Sequence, residues 1–419
     1  MDAAELADRL LAARDKRSRR RLIRETPLSV DIETARRLIN VCVENWASNP
    51  KVTRDSARVL HEIASEFPST DILAYSAWAD GISEMTHGRV RSAIESLRTS
   101  TAKFVKAGKT VESAQPQIAA LVALAMLGSY ARALAVGRRA LRILSDANDQ
   151  LSAGKVEINL ANIAFQLGRY KQAEIQGLSA YARFRRLKEP AWRAMAENGL
   201  ANTYVALNDY RSAVKYFRIA LDSARSTGKL VTEAEIEASI GNLELSRGRF
   251  AEALRSFELS RQKFDELNIP HKSAIADLEI AEIYAELNLS AESMELLSKV
   301  VVKLAKLKMQ SEEARARLVL GKTAIRQRIP SLARKELQKS SRLYKLEKNR
   351  HKQAVVMVYQ ALLELREKNF DAAREFAGKA NRILKKAGNE RERMMPAWIV
   401  GEVLIKTGNP RRGLSSLRK

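Results

Sequence analysis

Leu167-Gly168-Arg169-Tyr170-Lys171-Gln172-Ala173 decides how this chain folds, because its pattern returns every 40 residues. Forty residues earlier stands Leu127-Gly128-Ser129-Tyr130-Ala131-Arg132-Ala133, and forty later Leu207-Asn208-Asp209-Tyr210-Arg211-Ser212-Ala213. Arg247-Gly248-Arg249-Phe250-Ala251-Glu252-Ala253 follows after another forty. The phase runs without insertion from Gly88, through Asn288, Arg328 and Lys368, to Gly408. A constant period held over nine units marks a repeat array, since an ordinary helical bundle has no reason to keep phase.

Each column has a physical reason. Small residues recur at Gly81, Ala161, Ala201, Gly241, Ala281, Gly321, Ala361 and Gly401, with Leu121 the exception, so that the first helix of a unit can approach its neighbour closely. Gly88, Gly128, Gly168, Asn208, Gly248, Asn288 and Gly408 suit the left-handed cap that ends that helix. An aromatic then opens the second helix at Tyr130, Tyr170, Tyr210, Phe250 and Phe370, and alanines such as Ala133, Ala173 and Ala213 mark the helix crossing. Gly108, Asn148, Gly228, Asn268 and Gly388 close the second helix; Pro190 and Pro270 fall just beyond, where a helix cannot continue.

Each unit is therefore helix, tight turn, helix, loop, and the small–aromatic–alanine pattern resembles tetratricopeptide (TPR) repeats. Their usual period is about 34 residues, so the extra length is expected mainly in the second helix. One unit cannot bury its own apolar face, and stacking does so. The expected fold is all-α, a TPR-type α-α solenoid winding as a right-handed superhelix. Residues 1–73 form a helical cap with degenerate repeats, 74–393 eight repeats, and 394–419 a truncated ninth. The cap reads as three amphipathic helices with apolar faces such as Leu6/Leu10 and Leu38/Ile39/Val43. Its basic run, Arg14, Lys16, Arg17, Arg19, Arg20, Arg21 and Arg24, suits a solvated face or, in the alternative, contact with an acidic partner or a nucleic acid. The ninth unit stops partway through its second helix, at Gly413-Leu414-Ser415-Ser416-Leu417, so the natural polypeptide is expected to continue.

Composition narrows the function classes. Hydrophobic residues make up 46 %, enough for a continuous core, and 18 glycines and 9 prolines are few for a many-turned β fold. One cysteine, Cys42, excludes an internal disulfide framework. The longest apolar run, Ile118 to Leu127, is too short to span a bilayer, which needs about 20 residues. With its charged N-terminus, this points to a cytoplasmic protein with no membrane partner. No phosphate-binding glycine loop or His-Glu-x-x-His pattern is present, and the four histidines, His61, His87, His271 and His351, are scattered. No catalytic residue, metal site or cofactor is expected. The carboxylates read mostly as solvated or intrahelical pairs.

Asp277-Leu278-Glu279-Ile280-Ala281-Glu282-Ile283-Tyr284-Ala285-Glu286-Leu287-Asn288-Leu289 resembles a stretch typical of bacterial proteins in which a TPR array precedes a caspase-like CHAT domain. The 40-residue spacing, the Asn-x-x-Asn helix around Asn159 and Asn162, the opening Ala7-Asp8-Arg9-Leu10-Leu11 and the Trp46-to-Pro50 segment are similar too. The resemblance implies a regulatory repeat region ahead of a peptidase with a His–Cys dyad. No dyad is visible here: Cys42 precedes every histidine, the reverse of that family's order, and sits in the apolar segment Ile39–Val43, where a buried small hydrophobe is expected.

One polar column points to function. Asn162, Asn202 and Asn242 stand 40 residues apart, one position after the small column of the first helix. First helices line the concave surface of a TPR superhelix, and this position points into it. Asparagine is a mediocre helix former, so three in register need a reason. Each amide offers a donor and an acceptor, and a ladder of them can hold the backbone of an extended peptide whatever its sequence. Kinesin light chains and other proteins with long TPR repeats look similar here. Asn198 shares the face with Asn202, and Asn159 lies one turn before Asn162. Lys155 and Arg315, on first helices, would add a preference for an acidic partner. Trp78 and Trp398 occupy equivalent positions and read as core.

The expected function is a protein- or peptide-binding scaffold or sensor. The alternative is nucleic-acid binding, suggested by a net charge of +24. Against it, aromatics are only 6 %, and basic pairs such as Arg138-Arg139, Arg185-Arg186, Lys385-Lys386 and Arg411-Arg412 lie on or near second helices, away from the groove.

Overall fold

The structure, a computed structural model, describes residues 2–13, 15–26, 31–46, 49–387 and 390–417. Arg14, Gly388 and the side chain of Lys386 lie outside the described residues. Among those described are 22 α-helices and no strand. The chain divides into two compact units, Met1–Ser239 and Ile240–Lys419. The first holds α1 (Ala3–Ala12), α2 (Lys16–Glu25), α3 (Ile32–Asn45), α4 (Pro50–Glu66), α5 (Thr70–Thr86), α6 (Val90–Lys106), α7 (Thr110–Met126), α8 (Tyr130–Asp146), α9 (Gln150–Gln166), α10 (Tyr170–Leu187), α11 (Pro190–Ala206), α12 (Tyr210–Ser226) and the first turns of α13 (Leu230–Ser246). The second holds the rest of α13, then α14 (Phe250–Glu266), α15 (Pro270–Glu286), α16 (Ser290–Lys306), α17 (Gln310–Arg326), α18 (Pro330–Leu346), α19 (Arg350–Arg366), α20 (Phe370–Ala387), α21 (Glu390–Lys406) and α22 (Pro410–Leu417).

From Pro50 to Pro410 a helix begins every 20 residues, half the sequence period. First and second helices are nearly equal in length, 17 and 18 residues in α9 and α10 and 17 in both α11 and α12, so the second helix does not carry most of the extra length. The phase reaches back into residues 1–73, where degenerate repeats are expected. Among the described residues four helices, not three, precede α5; α4 keeps the 20-residue phase, and α3, beginning at Ile32, lies two residues off it. The boundaries at 73/74 and 393/394 fall inside α5 and α21; the helices themselves begin at Thr70 and Glu390.

The turns explain the regularity. Gly168 has φ of 70°. Its N–H donates to the carbonyl of Phe165, and Arg169 N–H to that of Ala164, both at 2.9 Å. This paired cap satisfies two carbonyls that the helix end would orphan. The same positive φ appears at Asn148, Lys188, Asn208, Asn268, Asn288, Lys308, Arg328, Lys348 and Lys368.

Packing between helices follows a size rule. A Cβ added to Gly81 would lie 2.6 Å from Leu97 Cγ, and one on Gly241 or Gly321 would meet Phe257 or Leu337 at 2.8 Å. Leu121 breaks the small column because its partner does: a Cβ on Gly137 would come within 2.4 Å of Leu121 Cδ1 and 2.8 Å of Leu160 Cδ2. Knob and hole have changed helices.

Several carboxylates are buried or half-buried and bridge helices, contrary to the solvated expectation. Glu157, on α9, accepts from Ser179 Oγ (2.8 Å) and Arg183 Nε (2.9 Å), both on α10. Asp277, on α15, pairs with Lys303 of α16 at 3.1 Å. The basic run is not simply solvated either. Arg19 is buried and grips Glu62 through Nε and Nη2, each at 2.8 Å, while Arg24 reaches Glu66 at 3.2 Å. Trp78 is core, but Trp398 is 42 % exposed, so the equivalent position is not packed in α21.

Candidate functional site

Helical spacing gathers the candidate residues of the first unit. Lys155, Asn159 and Asn162 stand at i, i+4 and i+7 on α9, and Met195, Asn198 and Asn202 at i, i+3 and i+7 on α11. The two helices meet along this face, where Gly199 presents no side chain to Asn162; even a Cβ there would lie 3.9 Å from Asn162 Oδ1.

The amides are half used. Asn159 Nδ2 donates to the Lys155 carbonyl at 2.9 Å. Asn202 Nδ2 donates to the Asn198 carbonyl at 3.0 Å and lies 3.4 Å from Ser239 Oγ. Those bonds fix the two rotamers. Asn162 is exposed, and among the described residues its side chain makes no hydrogen bond. Left open are donors at Asn162 and Asn198 and acceptors at Asn159, Asn162 and Asn202. An extended polypeptide backbone presents the complementary alternation of carbonyls and N–H groups.

A shelf adjoins the amides. Lys155 Nζ sits 4.6 Å from the centroid of the Trp192 ring, which stacks at 6.1 Å on Phe184. Burial pushes the Lys155 pKa down, against the pull of Asp149, Glu189 and Glu44. Met195 beside it is 40 % exposed. Trp192 and Met195 were not anticipated, because neither belongs to a repeating column. Their only signal was a large apolar residue at a first-helix position that other units fill differently.

The second unit treats its candidates otherwise. Asn242 is exposed on α13. Arg315, on α17, is not an open cation. Its Nη1 and Nη2 donate to the two Glu279 oxygens at 2.8 and 3.0 Å, and Nη2 also reaches Glu282 Oε2 at 2.7 Å. Burial pulls the Arg315 pKa down, but the two carboxylates outweigh it and hold it above its ordinary value. The residue straps α17 to α15, and this corrects its expected role in recruiting an acidic partner.

Cys42 is not placed as a nucleophile. Cys42 is buried, burial pushes its thiol up to about 12, and its sulfur faces the Thr53 and Ala79 carbonyls at 3.6 and 3.8 Å. Among the described residues no cluster of His, Cys, Asp and Glu could hold a metal ion, and no helix is long and apolar enough to cross a membrane.

Residues 152–226 match one tetratricopeptide-repeat family model, and residues 79–150 and 198–259 match another. No curated protein matches the chain in sequence. Solved structures share the fold at low identity. The Rap protein complexed with competence and sporulation factor is 13 % identical with a TM-score of 0.55, over 82 % of this chain and 100 % of that one. The apo quorum sensor NprR from B. thuringiensis is 13 % identical, TM-score 0.58, over 92 % and 97 %. The signal transduction ATPase PH0952 from Pyrococcus horikoshii, with a tetratricopeptide repeat sensor, is 14 % identical, TM-score 0.59, over 99 % and 70 %.

Proposed function

We propose that this chain of tetratricopeptide-type repeats holds an extended polypeptide on the first-helix face of α9 and α11. The open amide set at Asn159, Asn162, Asn198 and Asn202 carries the proposal, since it matches a peptide backbone and is already oriented by Asn159 and Asn202. Pre-orientation lowers the entropy lost on binding. The Trp192 and Met195 shelf supplies the apolar contact that backbone bonds lack, and it selects a ligand with a large apolar side chain beside the clamped segment. Desolvated Lys155 favours a carboxylate there over a second cation. The neighbours fit this use: one Rap structure contains competence and sporulation factor, and another, a conjugation gene regulator, contains the Phr* peptide. The CHAT resemblance would add peptide-gated proteolysis; no described residue of this chain supplies that step.

The test is affinity selection of displayed random peptides on the full chain, followed by titration of a selected peptide. With Asn162→Ala/Asn198→Ala, Kd rises at least tenfold, because each lost charge-free hydrogen bond contributes about 1 kcal/mol. Unchanged affinity in that variant would rule the site out.

A further inference from the structure

The geometry points to a second binding site, independent of the amide face: a pocket between α1, α2 and α4 that takes a small phosphorylated solute. A cavity of about 390 Å³ lies there, lined by Leu10, Leu11, Arg19, Lys51, Arg54 and Val59 among others. That is within the size range of small-molecule sites.

Its charge is unbalanced in a specific way. Arg19, at the back, is neutralised by its two 2.8 Å bonds to Glu62, and its Nη1 lies 3.4 Å from the Ala13 carbonyl. Arg58 pairs with Asp55 at 3.4 Å. Lys51 and Arg54 make no ion pair among the described residues, and both are exposed. Lys51, Arg54 and Arg58 follow at i, i+3 and i+7 along one face of α4, so like charges are neighbours. They also begin at the helix N-terminus, whose dipole disfavours cations; the first turn of α4 has no acidic residue.

Two unpaired cations at the mouth of a concave site, against a helix end that itself favours negative charge, ask for a dianion. A phosphoryl group fits best. It carries close to two charges near neutral pH, and its tetrahedral oxygens suit the guanidinium fork of Arg54 and the point charge of Lys51 together. Leu11, half-buried, is the apolar side chain the cavity exposes, with Leu10 and Val59 buried behind it. The solute we infer carries, beside its phosphate, a small apolar group that rests against Leu11.

Calorimetric titration of the full chain with phenyl phosphate, and in parallel with inorganic phosphate, at fixed ionic strength tests this. Phenyl phosphate binds saturably at one site per chain and more tightly than inorganic phosphate. Lys51→Ala/Arg54→Ala weakens it at least tenfold, with helical content unchanged by circular dichroism, since both residues are exposed. Arg138→Ala/Arg139→Ala removes equal charge from α8 and leaves affinity within twofold. Equal affinity for the two ligands would assign the site to the free ion and overturn the organic phosphate. Absence of saturable binding, or equal losses in the two double variants, would overturn the site altogether.

Discussion

Gly137 shows how far a single residue sets the packing. It is the hole that receives Leu121 and Leu160, and a Cβ there would approach both to under 3 Å. Gly137→Ala is expected to cost about 1–3 kcal/mol through overpacking. Gly378, also helical, meets nothing within 4 Å, and Gly378→Ala should instead stabilise by up to about 1 kcal/mol. Urea unfolding of the two variants, with Gly137→Ala/Leu121→Ala as the coupled pair, checks both; the pair should lose less than the sum of its parts. Glu197 makes a different prediction. It is fully buried, Arg193 Nε is 3.3 Å away, and that guanidinium donates to Ser223 Oγ. Burial pushes the Glu197 pKa up to about 7, against Ser223 and Arg193, with Asp222 adding to the rise. The native state then holds this proton more tightly than the unfolded chain. Its contribution is fully present below the unfolded value near 4.5 and is lost as pH rises to about 7. Glu197→Gln should remove that slope, read as the change in melting temperature between pH 5 and pH 8. A wild-type and variant slope of equal size would contradict the assignment.

At the scale of helices, the turns carry most of the regularity, and most of the legibility. Gly88, Gly168 and Asn208 announced left-handed caps because few residues tolerate positive φ. Lys188, Lys308, Lys348 and Lys368 adopt the same conformation without announcing it. There the flanking helices impose the turn, and the side chain bears its cost. Lys368→Gly should therefore raise stability by about 0.5–1 kcal/mol in thermal unfolding, whereas Gly168→Ala should lower it by about 1 kcal/mol. The amide column was legible for the same reason as the glycines: three asparagines in register are improbable in helices. The acidic column of Glu157, Glu197 and Glu237, all buried, and half-buried Asp277 was equally periodic but was missed. Acidic residues are ordinary on helix surfaces, and sequence alone does not show that Arg183 and Lys303 on the following helices reach back to Glu157 and Asp277. Trp192, Met195 and the α4 pocket were not legible, since they depend on which helices meet and not on any repeat. Arg315 misled, because a lone arginine on a first helix gives no sign of Glu279 and Glu282 lying 36 and 33 positions earlier.

For the whole molecule, the repeat array does two things with one architecture. Second helices complete the core, with fully buried Ala133, Ala173 and Ala213 at the crossings, while the first helices α9 and α11 leave the amides of Asn162 and Asn202 exposed and half-buried. Pairs such as Arg19–Glu62, Arg183–Glu157 and Arg317–Glu336 cancel one charge of each sign, so the net charge of +24 is carried by the rest of the molecule. The central claim is that the first-helix face of the first unit is where a polypeptide binds. A photo-cross-linking side chain placed at Met195, 40 % exposed on α11, tests this directly against one at Ile175, 66 % exposed on the second helix α10. With a selected peptide bound, cross-linking from position 195 and not from position 175 is the predicted result. Cross-linking from position 175 alone, or equally from both, would contradict it.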